Sequence, residues 1–115
     1  MSKIVSKEEQ YPMGSGTLTI KVSLGDGQLG TTSVMLGNTS LGIGDTIDLT
    51  VGQTTELTHQ TIYIESTCRD VNSSSDYTSV TVTFTDAANT KTYTYSEQAE
   101  SSGGAVIYDL TFHLS

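Results

Sequence analysis

The chain has no tryptophan, a single proline, a single cysteine, and only five lysines and arginines against thirteen aspartates and glutamates. Each shortage removes a class of protein. Cys68 has no second cysteine to pair with, so a scaffold stapled by internal disulfides is excluded. The cations Lys3, Lys7, Lys21, Arg69 and Lys91 are scattered along a chain of net charge −8. That is the opposite of the clustered basic surface by which proteins hold nucleic acid or anionic membrane, so neither is expected as a partner. One cysteine and the distant His59 and His113 cannot close a zinc site within one chain. The opening stretch, MSKIVSKEEQYP, lacks the apolar centre of a signal peptide, and no apolar run approaches the thickness of a bilayer. Cytoplasmic synthesis without a leader is therefore expected, with a place in an extracellular or viral particle left open.

What the chain has in abundance is threonine, with serine and glycine beside it. Threonine is β-branched and suits the solvent face of a strand. Its arrangement is clearest from Tyr77 to Ser96, where Val80, Val82 and Phe84 alternate with Thr81, Thr83 and Thr85. Asp86 to Asn89 then supplies turn chemistry, and Thr92 and Thr94 alternate with Tyr93 and Tyr95. With a loop at 86–89 the register sets Thr85 against Thr90, Val82 against Tyr93 and Val80 against Tyr95. All the apolar residues then share one face, and a slip by one residue would scatter them.

The same period recurs. Leu18, Ile20, Val22 and Leu24 form one strand face, and Thr32–Leu36 a short strand before the Gly37-Asn38 turn. Gly42 and Gly44 bracket Ile43 in a stretch too rich in glycine for a regular central strand. Ile47, Leu49 and Val51 alternate again before Gly52-Gln53. Leu57 to Cys68 reads as a longer strand or a bent pair with Ile62, Ile64 and Cys68 inward. Asn72–Asp76 and Glu97–Gly104 are polar loops, the second with a helical turn. Val106 to Leu114 keeps the alternation long enough to suggest a strand inside a sheet rather than at its rim. Seven or eight strands parted by turn signals predict an all-β chain, a single antiparallel two-sheet β-sandwich of immunoglobulin-like or prealbumin-like kind over residues 17–115. Residues 1–16 read as an irregular, flexible N-terminal arm. Ser6 and Glu9 fit a capping box, Pro12 stops any helix after one turn, and Gly14-Ser15-Gly16 is a joint.

Candidate chemistry is sparse. Asp26, Asp45, Asp48, Asp70, Asp76 and Asp86 fall at strand ends or loops, as calcium ligands of a sandwich would, yet none has the spacing of a dense calcium loop and turn chemistry accounts for them. His113 faces away from the core on the side of Asp109, but no serine or cysteine nucleophile is marked out beside it. Cys68 has the parity of a small buried hydrophobe. No phosphate-loop glycine pattern precedes a helix. Without tryptophan, a sugar platform would have to use Tyr11, Tyr63 or Tyr77.

The expectation is a non-catalytic structural or assembly protein, such as a subunit or decoration protein of a phage or secretion particle. It would act without a cofactor through contacts with protein, its own copies in a homo-oligomer included. The contact residues expected are Ile4, Val5, Tyr11 and Met13 of the arm, and Tyr63. A small acidic inhibitor or immunity-type protein that covers a basic partner is the alternative, and a glycan-binding module the third.

Overall fold

The computed structural model describes residues 2–25, 29–69, 77–99 and 104–115. Its elements are strands β1 (Ser2–Tyr11), β2 (Thr17–Gly25), β3 (Leu29–Leu36), β4 (Thr39–Gly44) and β5 (Ile47–Gln53), a one-turn helix α1 (Thr54–Leu57), and strands β6 (Thr61–Arg69), β7 (Tyr77–Thr85), β8 (Thr90–Gln98) and β9 (Ala105–Leu114). They form a five-stranded sheet in the order β1-β9-β6-β3-β4 and a four-stranded sheet in the order β5-β2-β7-β8. The two sheets pack on one another around a common core.

Burial follows the alternation in the chain. Strand β7 buries Thr78, Val80, Val82 and Phe84, while β9 buries Val106, Tyr108, Leu110, Phe112 and Leu114. The β7–β8 hairpin has the register read from the sequence, with Val80 opposite Tyr95, Val82 opposite Tyr93 and Thr85 opposite Thr90. On its outer face Thr81 meets Thr94 and Thr83 meets Thr92, hydroxyl to hydroxyl, at 3.5 and 3.3 Å. β9 lies between β1 and β6, inside the sheet as its length suggests. The glycine-rich β4 is at the rim of the same sheet. Gly37, which opens the β3–β4 turn, takes φ 56°, a value that favours glycine.

Three expectations give way, the first being that the sandwich is antiparallel throughout, since β1 and β9 run parallel. Residues 2–11 are not an irregular arm, and Ser6 does not cap a helix: the segment is a full strand, paired in parallel with β9 from Ser2–Ala105 to Tyr11–Leu114. Its alternation is weak because Lys7 and Glu9 occupy positions of the same parity as Val5 and Tyr11, so backbone pairing with β9, rather than a run of apolar side chains, holds it. Pro12, which has no N–H to donate, directly follows its last residue. The strand count rises accordingly to nine among the described residues. The segment from Leu57 to Cys68, read as a longer strand or a bent pair, is neither: Leu57 is buried at the end of α1, and the strand β6 starts only at Thr61. The loop expected at 72–76 lies outside the described residues, as do residues 100–103 of the one expected at 97–104, where β8 runs on to Gln98.

The two sheets are tied along the side where β1 and β8 adjoin. Tyr11 stacks on Phe84 with ring centroids 4.7 Å apart, and Phe112 meets both Phe84 and Tyr93 edge-on at 5.0 Å. Such pairs contribute roughly 0.5–1.5 kcal/mol each beyond the area they bury. Above this cluster the Tyr95 hydroxyl donates to the Glu9 carboxylate at 2.6 Å, the Tyr93 hydroxyl donates to the Gln10 carbonyl at 3.4 Å, and Lys3 lies 3.5 Å from Glu97.

Candidate functional site

A buried carboxylate is the most heavily bonded polar group described. Asp86 opens the β7–β8 loop and is 8% exposed. Its Oδ1 accepts the amides of Ala88 and Asn89 at 2.8 and 2.9 Å, which shapes the loop. Its Oδ2 accepts the Tyr11 hydroxyl at 2.9 Å and the Gly14 amide at 2.8 Å, which fastens the end of β1 to that loop. Burial alone would raise its pKa, but these donors outweigh burial and hold it at about 2. Tyr11 moves the other way, its pKa raised by burial and then by the carboxylate it donates to. Gly14 has to be glycine here, since a Cβ would come within 2.6 Å of both Ala88 Cβ and Asp86 Oδ1. With every oxygen already engaged by protein donors, this carboxylate is a fastening and not a ligand-binding group.

A second polar row crosses the outer face of the five-stranded sheet. His113 Nε2 contacts the Glu8 carboxylate, and His113 Nδ1 lies 3.4 Å from the Thr61 hydroxyl. Glu8, rather than the Asp109 considered from the sequence, is thus the acid beside His113, and it comes from β1. An acid, an imidazole and a hydroxyl in line have the order of a nucleophilic triad. However, the contact to Thr61 is long for hydrogen-bonded proton transfer, and the row sits on the open face of a sheet, with Glu8 well exposed. Glu65 and Asp109 stand directly opposite each other on the same face, two like charges side by side. Among the described residues no group of three or more histidine, cysteine or acidic side chains is placed to hold a metal. Asp26, Asp70 and Asp76 lie outside the described residues.

Two shallow grooves stand out among the described residues. One of about 360 Å³ at the β3–β6–β9 end is lined by Leu29, Gly30, Thr31, Thr67, Arg69 and Ala105. The other, of about 150 Å³, lies between Met13, Gly14, Ser115 and the threonines of and after α1. Neither is lined by His113, Glu8 or Thr61. Cys68 is fully buried, and burial pushes its thiol up to about 11, as fits a packing residue.

The contact residues expected from the sequence do not gather in one place. Tyr11 is in the core, while Val5 and Met13 pack against the core and are half-buried. Ile4 and Tyr63 do face outward, on the same side of the five-stranded sheet, with Ile4 68% exposed. Pairing places Ile4 beside Ile107 of β9, and Tyr63 beside Met35 of β3. Leu29 and Ile43 are the other large apolar side chains exposed on this sheet. Met35, Leu29 and Ile43 were missed by sequence reading because each sits in a strand of mixed character, where only the register shows which face it takes; the outward parity of Ile107 was legible in the alternation of β9, but its neighbour Ile4 was not. Tyr77 is exposed on the outer side of the four-stranded sheet, so it and Tyr63 do not form one stacking platform.

No helix among the described residues is long and apolar enough to cross a membrane. No protein family, curated protein or solved structure that was compared matches this chain.

Proposed function

We propose that this protein is a structural or assembly component that works through protein–protein contacts, its own copies included, and not through chemistry on a small molecule. The observation that carries the reading is the outer face of the five-stranded sheet, where Ile4, Ile107, Tyr63 and Met35 pair across strands and Leu29 and Ile43 are exposed beside them. Apolar side chains held by rigid strands on a face of mixed polarity suit docking against another protein. The architecture is best grouped with immunoglobulin-like or prealbumin-like sandwiches, which describes layers and implies no activity. A subunit or decoration protein of a particle is the concrete form of this reading. Light scattering coupled to size exclusion, run from dilute to concentrated protein, tests it. Mass above that of a single chain is expected, and a monomer at every concentration overturns self-assembly.

A second reading has its own support in the adjacent Glu65 and Asp109 carboxylates and the net charge of −8. These suit a small acidic inhibitor held against a basic partner. A monomer that is captured by a basic protein and released by salt would favour it.

A further inference from the structure

The strand β8 lies at the rim of the four-stranded sheet, hydrogen-bonded to β7 on one side and to no other described strand. Its nine residues contain no proline, and its pairing with β7 runs without a register shift. Edge strands are usually blunted by proline, bulges, shortness or charged side chains, because their outward N–H and C=O groups form a template for another strand; of these β8 has only the charges of Lys91 and Glu97, which are opposite in sign. On the assembly reading above, we propose that β8 pairs antiparallel with β8 of a second copy about a two-fold axis at Thr94, which joins two four-stranded sheets into a continuous one.

The residue pattern selects both the occupant and the register. A two-fold axis normal to the sheet leaves inward side chains inward, so residues that face each other across it must have the same parity. Centred on Thr94, the pairing spans the whole strand. It sets Thr94 against Thr94, Tyr93 against Tyr95, Thr92 against Ser96, Lys91 against Glu97 and Thr90 against Gln98. The four inner pairs are favourable cross-strand pairs, hydroxyl with hydroxyl, aromatic with aromatic and cation with anion, and the outermost sets a hydroxyl against a carboxamide. The two nearest alternatives lose this. An axis at Tyr93 sets Lys91 against Tyr95 and Glu97 against Asn89, and one at Tyr95 sets Lys91 against Ala99. Lys91 and Glu97 are the charged residues of the strand, and the Thr94 register is the one that brings them together. Within a single copy both head groups are accessible. Lys91 lies 5.0 Å over the Tyr93 ring, and Glu97 shares a half-exposed contact with Lys3.

Charge reversal and a symmetric cross-link test the proposal. Lys91→Glu and Glu97→Lys each replace two attractions per dimer with two repulsions, so each should weaken dimerisation about tenfold in sedimentation velocity, and the double variant should recover most of it. Thr94→Cys should form a covalent dimer on mild oxidation, since opposed strand residues fall within the Cα separation a disulfide spans. The buried Cys68 serves as an internal control that should not cross-link. Unchanged melting temperatures would show that the variants fold. A dimer that ignores both charge reversals and leaves Thr94→Cys uncross-linked overturns β8 pairing while the assembly reading stands. A chain that is monomeric at the highest concentration overturns both.

Discussion

The Asp86 carboxylate does at the scale of one residue what a disulfide does in other small domains: it fastens two segments far apart in sequence. Four hydrogen bonds converge on it, two from its own loop and two from Tyr11 and Gly14. Replacing it with asparagine keeps the shape but aims an NH2 group at donors, and should cost about 2–4 kcal/mol of stability in urea titration at neutral pH. The pH dependence follows from the sign of its shift. A carboxylate held at about 2 in the folded state, against about 4 unfolded, gives its full stabilisation above the unfolded value and loses it as pH falls through the folded value. The stability gap between the wild type and Asp86→Asn should therefore close between about pH 4 and pH 2, and a gap of constant width would show that the carboxylate charge is not what matters. Cys68 gives a second expectation. A buried thiol raised to about 11 should resist an aromatic disulfide reagent at pH 8 in the native state, and react only as fast as the chain opens.

Among elements, β1 shows the limit of periodicity as a guide. It contributes Tyr11 to the aromatic cluster, Glu9 to the Tyr95 hydroxyl and ten backbone positions to β9, yet its own sequence reads as polar and irregular. Removing residues 1–11 should therefore destabilise the fold, by roughly 3–5 kcal/mol from loss of the buried tyrosine alone, and not merely release a tail. An unchanged urea midpoint in that truncation would contradict the strand's role. The β6–β9 pair gives an expectation of the opposite sign. Glu65 faces Asp109 directly, and Glu65→Lys converts that repulsion into an attraction. It should raise stability by about 0.5–1 kcal/mol, visible as a melting temperature a few degrees higher at low salt.

At the scale of the whole molecule, the net charge of −8 distinguishes the two functional readings. Two identical acidic copies repel at long range, so added salt should strengthen self-association by screening that repulsion. An acidic protein on a basic partner behaves the other way, and its association slows as salt rises. Sedimentation at about 20 and 200 mM sodium chloride, set against a Debye length that falls from roughly 20 to 7 Å, reads the difference directly. The two Lys91–Glu97 pairs proposed across the β8 edge are screened over the same range and offset part of that gain, so the loss of a basic partner with salt is the outcome that favours the second reading.

The chain by itself determined what depends on neighbours along it. Alternation of Val80, Val82 and Phe84 with threonines, closed by Asp86–Asn89, specified a strand pair, its register and its buried face, because a period of two admits one solution when half the side chains must leave water. It determined in the same way that Cys68 is inward and that β9 is long and enclosed. Tertiary structure alone decided the rest. That Ser2–Tyr11 is a strand depends on β9, about a hundred residues away, whose backbone supplies the bonds the segment's own pattern does not announce. That Glu8 meets His113, that Asp86 receives Tyr11, and that β8 rather than β7 is left at the rim are consequences of strand order, which no local period encodes.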